Sequence, residues 1–589
     1  MDSRPTSAPK LASPSPEEGA GGERARARLP VLEWLRGYDR AWLVTDLVAG
    51  LTAATVVIPK AMAYATIAGV PVQVGLYTAL VPALVYAVVG GSRVLSVSST
   101  TTIAILTASA LQEAVHGASP ERLLVAVATL SVLVCAILLA ASVLRFGFVA
   151  NFISEPVLAG FKAAVGVVIV VDQLPKLFGV HLGKGGFLHD LYHLAVAARA
   201  ASLPTLALSL SLAALLLLFM RFAPKLPAPL VAVAAGIGAS VLLRLPEAGV
   251  KTVGVVPAGL PSPVWPDLSL LQALWPGAVG IALMSFTETI AAGRAFAAPG
   301  EPRPSANREL LATGLGGLAG GLVGAMPSGG GTSQTAVTRR MGARTQLAGL
   351  VIGFTALAAL LVLGPVLSQI PQATLAVIVI VYSAELVSLK DFRAMAAIRR
   401  TELVWAITAF AGVLFLGTLR GILVAVLVSL LALAHQDQNP RVYEVRRKPG
   451  TNVFRRRTDA HPEDEAVPGL VLLRVEGRVF FANAERVIDA MVPIVERADP
   501  AVIVLDCSAV IDVEYSALKM MSQAEERVRQ HGAELWLAAL NPEVRHVVER
   551  APLALGRAIG RERMFYNLED AVAHFRARGP ALAASGRAL

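Results

Sequence analysis

Between Trp42 and about Ala434 the sequence returns repeatedly to apolar runs long enough to cross a bilayer, about 17–25 residues each. A soluble fold has no interior large enough to hide so many such runs, so this feature decides the class. We read about eleven runs of that length, near 42–67, 74–90, 121–144, 153–173, 203–221, 227–244, 275–293, 309–325, 345–367, 401–418 and 419–434. Shorter candidates follow Ser98, Thr332 and Gln372. Composition agrees: of 589 residues, 55% are hydrophobic and 16% charged, with a mean hydropathy of +0.62. The chain is expected to be a polytopic helical membrane protein.

Two kinds of interruption carry the chemistry. The first run contains "TVVIPKAMAYATIAG", a proline followed at once by Lys60. A charge at bilayer depth costs about 3 kcal/mol or more and faces protein or water rather than lipid. Two of the shorter segments open with glycine and hydroxyl residues, "SVSSTTTIAIL" and "PSGGGTSQTAV". Paired short or interrupted segments in two halves of a chain mark the binding site of many transporters.

The formal charge of +10 is mainly topological. With fourteen spans and a cytoplasmic N-terminus, the inside loops carry about twice the Lys and Arg of the outside loops, as the positive-inside rule requires. No basic face interleaved with aromatics appears, which argues against a nucleic-acid partner. Cys135 and Cys507 give neither a disulfide framework nor a metal signature, and His181, His189 and His193 read as a solvated loop. Residues 1–30 are rich in Pro, Ser, Gly and Ala and are expected to be a disordered tail without an apolar signal region.

After 31–436, the membrane region, the composition changes. A polar connector at 437–467 precedes "LVLLRVEGRVFFAN", "AVIVLDCSAV" and "AELWLAAL", which alternate with helical patterns at 484–497, 516–531, 542–551 and 568–577. This predicts a small α/β domain over 468–580, soluble and on the cytoplasmic side, with a short tail at 581–589.

The chain resembles the sulfate permease (SulP) family of anion transporters, whose relatives include prestin. The resemblance rests on "IPKAMAYATIAGVPVQVGLYTALVPALVYAVVGGSRVLSVSSTTTIAIL", "NFISEPVLAGFKAAVGVVIVVDQLPKLFGV" and "GAMPSGGGTSQTAVTRRMGARTQLAGL". The last domain is similar to STAS domains. The family implies fourteen spans as two inverted seven-helix repeats, forming core and gate domains, and an anion site between the N-termini of the third and tenth spans. Those N-termini fall at Ser98, Ser99, Thr100 and Thr101 and at Thr332, Ser333 and Gln334. Two facing helix N-termini make an anion cradle, since each offers unpaired N–H groups and about half a positive charge; helix capping alone is the plainer reading of the hydroxyls.

Two departures from the family pattern stand out. Lys60 replaces a common glutamine, and Ser333-Gln334 replaces Ser-Arg, so the site's cation is expected to have moved from the tenth span to the first. Direct anion contact, pairing with a carboxylate and snorkelling are the alternatives for Lys60. Tyr64, one turn on, shares its helix face. The resemblance suggests Glu288 in the eighth span as a proton-coupling group; beside Lys60 it could equally be a fixed counter-charge. Lys162 is a secondary intramembrane cation, with Glu155 and Asp172 as candidate partners; Phe146 and Phe148 are cavity aromatics only as the lesser alternative to packing. Ser516 falls where related regulators carry a phosphorylatable serine, with an N-cap as the bland alternative.

The resemblance therefore implies a secondary active anion transporter with an elevator-like movement, with proton coupling as an option. The alternatives are an uncoupled exchanger or channel, and a membrane sensor signalling through the STAS domain. No Walker motif, zinc motif or nucleophile elbow supports an enzyme, and no cofactor is implied. The expected partners are a small anion, protons, the lipid bilayer of the bacterial inner membrane and a second copy of the chain.

Overall fold

The computed structural model describes residues 30–583 except 116, 118, 152–153, 181–186, 224–225, 255, 257–258, 299–300, 302–303, 439 and 551–559. The expected N-terminal tail up to residue 29, the end of the C-terminal tail and His181 lie outside the described residues. The chain divides into two compact units, one ending at Ser429 and one beginning at Leu430.

The first unit holds α1 (Leu43–Ala68), α2 (Val72–Val89), α3 (Thr101–Ala114), α4 (Pro120–Val143), α5 (Glu155–Phe178), α6 (Leu203–Phe222) and α7 (Ala228–Leu242). Then come α8 (Leu271–Ala295), α9 (Ala306–Gly321), α10 (Thr332–Arg340), α11 (Leu347–Val362), α12 (Gln372–Ala384), α13 (Arg400–Leu416) and α14 (Thr418–Asp437), which runs into the second unit. Local chemistry sets many of the boundaries. α1 stops at Gly69, left-handed at φ 74°, and Pro71 sits just before α2. Prolines occupy the first turn of α4, α5, α6 and α7, where the missing N–H costs nothing. Among the described residues, eight helices are long and apolar enough to span a bilayer by themselves. At 14 and 9 residues, α3 and α10 are half-length.

The helices form two inverted seven-helix repeats, α1–α7 and α8–α14. Each half-helix follows a two-residue strand: β1 (Val97–Ser98) leads to α3 and β2 (Gly329–Gly330) to α10. The strands pair antiparallel, Val97 opposite Gly330 and Ser98 opposite Gly329. Helices α1–α4 pack with α8–α11 as a core bundle, while α5–α7 pack with α12 and α13 as a gate bundle. Glycines allow the tightest crossings. A Cβ on Gly75 would lie 2.1 Å from the Ala61 carbonyl oxygen, and one on Gly160 would lie 2.0 Å from that of Ala406.

The structure decides one open point and changes two expectations. Phe146 and Phe148 are exposed on a short helical turn, packed edge to face on each other, and do not line a central cavity. The histidine loop is in part a helix, Phe187–Ala197, on which His189 and His193 stack because they are four residues apart. The connector at 437–467 contains two strands of the second unit's sheet.

That sheet has six strands in the order β4-β3-β5-β6-β7-β8: β3 (Arg441–Arg447), β4 (Phe454–Arg456), β5 (Leu470–Val479), β6 (Val502–Val513), β7 (Glu534–Ala538) and β8 (Met564–Phe565). β5 to β8 run parallel, and β3 and β4 add antiparallel pairings at one side. Covering both faces explains the continuous apolar runs in the parallel strands. α15 (Ala484–Ala498), α16 (Tyr515–Gln530) and α17 (Pro542–Arg550) cover one face, and α18 (Leu568–Ala583) covers the other. Glu514, not Ser516, is the N-cap of α16; Ser516 is the second residue of the helix and is exposed.

The crossings give a test. Gly75→Val should destabilise the purified protein by about 1–3 kcal/mol or more through overpacking against α1. Gly238→Ala, with nothing within 4 Å of the new Cβ, should hold or raise the melting temperature. Equal melting of Gly75→Val and wild type would contradict the packing.

Candidate functional site

The β1–β2 pairing brings the starts of α3 and α10 together from opposite repeats, and a network of short polar bonds holds it. Gly331 N–H donates to the Ser96 carbonyl at 3.0 Å, and Ser96 N–H donates to Thr335 Oγ1 at 3.1 Å. Gln334 folds back across the pairing: its Oε1 accepts from Ser98 Oγ at 3.0 Å and Ser96 Oγ at 3.3 Å. A Cβ on Gly331 would lie 2.1 Å from Gln334 Nε2, so a side chain there would displace the folded-back glutamine. From α8, Thr289 Oγ1 accepts the Gly330 N–H at 2.8 Å, and Ser285 Oγ donates to the Ser328 carbonyl at 2.6 Å. α8 passes so near that a Cβ on Gly330 would lie 2.7 Å from the Thr289 Cα. The glycine run thus serves backbone approach.

Thr100 caps α3. Its hydroxyl accepts from Ile103 N–H at 3.3 Å and donates to Glu288 Oε2 at 2.6 Å. α10 has no side-chain cap, so its N-terminal field is left to whatever occupies the neighbouring space. That space is a cavity of about 340 Å³. It is bounded by Lys60 and Tyr64 of α1, Thr100–Thr102, Glu288 of α8 and Gly331–Gln334. From the gate bundle come Lys162 of α5, Tyr382 of α12, and Glu385 and Leu386 just after α12.

Lys60 is only 3% exposed. Its Nζ donates to Ser333 Oγ at 3.0 Å and stands 3.5 Å from the centre of the Tyr382 ring. Among the described residues no carboxylate comes within 4.0 Å of it, so the expected ion-pair alternative is not formed, and the buried position rules out snorkelling. The cation stands at the start of α10, on the hydroxyl of the residue before Gln334. Glu288 instead takes its hydrogen bond from Thr100.

The structure also sorts the other candidates. Tyr64, Thr100, Thr101, Thr332, Ser333 and Gln334 line the cavity with Lys60. Ser98 and Ser99 do not: Ser98 is tied to Gln334, and Ser99 is buried with its hydroxyl unpaired. Lys162 pairs with neither proposed carboxylate, since Glu155 is exposed at the helix start and Asp172 accepts from Gln173 Nε2 at 2.7 Å. Sequence reasoning missed Tyr382 and Glu385, three residues apart at the end of α12. The signal was present in "VYSAEL", an aromatic and a carboxylate on one helix face closing an apolar run.

Comparison with known proteins places this geometry. The sulfate permease family model matches residues 43–409, and the STAS domain model matches 461–571. A probable sulfate transporter of Mycobacterium tuberculosis is 34% identical over 555 residues, covering 93% of this chain and 98% of that protein. Human solute carrier family 26 member 6 is 32% identical over 500 residues, covering 80% of this chain and 66% of that protein. The fold is similar to that of the murine Slc26a9 anion transporter, with a TM-score of 0.85 at 22% identity, covering 98% of this chain and 100% of that one.

The Thr100 cap predicts a stability effect. Thr100→Val removes both the cap and the Glu288 partner and should cost about 1–2 kcal/mol, while Thr100→Ser keeps both bonds. Thermal unfolding of the two variants in one detergent checks this; a Val variant as stable as the Ser variant would contradict it.

Proposed function

The chain belongs to the sulfate permease family of anion transporters, and on that premise we propose that it is a secondary active carrier of an inorganic or small organic anion. The class comprises sulfate, bicarbonate and dicarboxylates, and transport proceeds by an elevator-like shift of the core bundle against the gate bundle. One observation carries the reading. The N-termini of α3 and α10 and the buried ammonium of Lys60 converge on one cavity, with the ring of hydroxyls around it.

Each part has a physical role. Two helix N-termini supply about one positive charge between them, and their free N–H groups point along the helix axes. Lys60 adds a full charge with three donors, of which Ser333 engages one. Thr101, Thr332 and Ser333 provide hydroxyls that replace water around the anion. Glu288 acts as the proton-coupling group. Ionised at the mouth of α3, it competes with the substrate for the same positive field; protonated, it leaves that field to the anion. The N-terminus and the STAS domain lie on the cytoplasmic side of the bacterial inner membrane, and two chains form a homodimer. The names of the relatives, sulfate transporter and anion transporter, support the substrate class.

Flux of sulfate, bicarbonate, chloride, oxalate and C4-dicarboxylates into proteoliposomes, with and without a pH gradient, tests the proposal. Uptake of at least one of them, accelerated by an inward proton gradient, is expected. Uptake indifferent to the gradient would favour the uncoupled exchanger or channel.

Two variants sharpen this. A unit charge a few ångströms from an anion is worth on the order of 4 kcal/mol at an effective dielectric near 20, part of which is offset by keeping Lys60 desolvated in the empty site. Lys60→Gln should therefore weaken binding by about tenfold to a hundredfold in a direct binding measurement. Unchanged affinity would remove Lys60 from the site. Glu288→Gln should bind anion at least as well as wild type at neutral pH, with uptake no longer responding to an imposed proton gradient. A variant that still accelerates as wild type does would remove Glu288 from the coupling.

A further inference from the structure

The contact between Lys60 and Tyr382 crosses between the two bundles. Lys60 on α1 and its partner Ser333 on α10 belong to the core; Tyr382 on α12 belongs to the gate. The ammonium sits 3.5 Å from the centre of the Tyr382 ring, over its face. Glu385, three residues further along, ends α12 and borders the same cavity. We infer that Tyr382 is a positioning residue that reads the charge state of Lys60, holding the core while the site is empty and releasing it once an anion is bound. This rests on the transport reading above and adds to it a rule: the loaded carrier shifts faster than the empty one, so substrate on the far side accelerates transport.

The argument is electrostatic. The face of an aromatic ring is the negative end of its quadrupole, so a bare ammonium is drawn to it, most strongly where water is excluded. Lys60 is such an ammonium, buried and without a carboxylate within 4.0 Å among the described residues. An anion seated at the starts of α3 and α10 takes the ammonium's remaining donors and cancels most of its charge. The same ring face repels that anion, as does the Glu385 carboxylate beside it. Lys162, also on the gate side of the cavity, attracts the anion, so what occupancy removes is the hold of the ammonium on the ring. An empty core can move only by pulling a desolvated cation off the ring. A loaded core has no such contact to break.

The test uses full-length protein in vesicles loaded with radiolabelled sulfate. Efflux is followed into buffer containing only gluconate and into buffer containing unlabelled sulfate, and the same two arms are run with bicarbonate. External substrate should accelerate efflux from wild type. Removing the ring with Tyr382→Leu, or with Tyr382→Met as a second apolar variant, should raise the ratio of net efflux to exchange about tenfold, the scale of a desolvated cation–π contact. Tyr382→Phe keeps the ring face and should keep the wild-type ratio, which a merely space-filling role for the tyrosine hydroxyl would not predict. The inference is overturned if wild type releases substrate equally fast into both buffers. It is also overturned if both apolar variants keep the wild-type ratio, or if the Phe variant behaves as they do. A wild-type protein that moves none of the anions of the flux assay overturns the transport reading, and this inference with it.

Discussion

The antiparallel pairing of Val97–Ser98 with Gly329–Gly330 is the constraint on which the rest of the membrane unit depends. It is two residues long on each side, and it alone converts two short helices from opposite repeats into one site. Without it, the backbone groups leading into α3 and α10 would be unpaired at bilayer depth, where each costs several kcal/mol. The pairing satisfies the strand groups, Gln334 clamps it from one side, and Thr289 and Ser285 of α8 hold it from the other. What remains unsatisfied is the start of α10, and that deficit faces the cavity.

Lys60 is the second element of the same design. A buried lysine with one hydroxyl and one aromatic ring as partners is incompletely compensated, unlike a lysine in an ion pair. The deficit is useful, because an arriving anion supplies the missing counter-charge where it is most favourable. Compared with an arginine, the compact ammonium offers no planar fork and imposes less geometry on what it binds. Glu288 and Glu385 bracket the cation from core and gate, so the cavity holds charges of both signs that the substrate must reconcile.

Much of this was legible in the sequence, for physical reasons that differ by element. The long spans announce themselves by length alone, and the two half-helices by their glycine and hydroxyl openings. Lys60, Glu288 and the α10 residues were identifiable because charges and hydroxyls within apolar runs are costly and need a purpose. Ser98 and Ser99 misled because a hydroxyl beside a site reads the same whether it faces the cavity or pins the backbone behind it. Tyr382 and Glu385 stayed hidden because nothing local reveals that the end of α12 reaches the middle of α1. The nearest partners of Lys60 among the described residues are a ring and a hydroxyl, neither of which a buried charge announces in the sequence. β3 escaped notice since "RVYEVRR" carries the charges of a connector while its Val445 is buried in the sheet.

The central claim is that one anion sits where Lys60 meets the two half-helix N-termini. A structure determined with selenate or bromide, located by anomalous scattering, tests it most directly. The account predicts a single strong peak within about 4 Å of Lys60 Nζ, with the anion's accepting atoms in hydrogen-bond reach of the ammonium and of the backbone N–H groups that open α10. A peak lying instead at Lys162, or a cavity that stays empty while the anion binds elsewhere in the membrane unit, would contradict it.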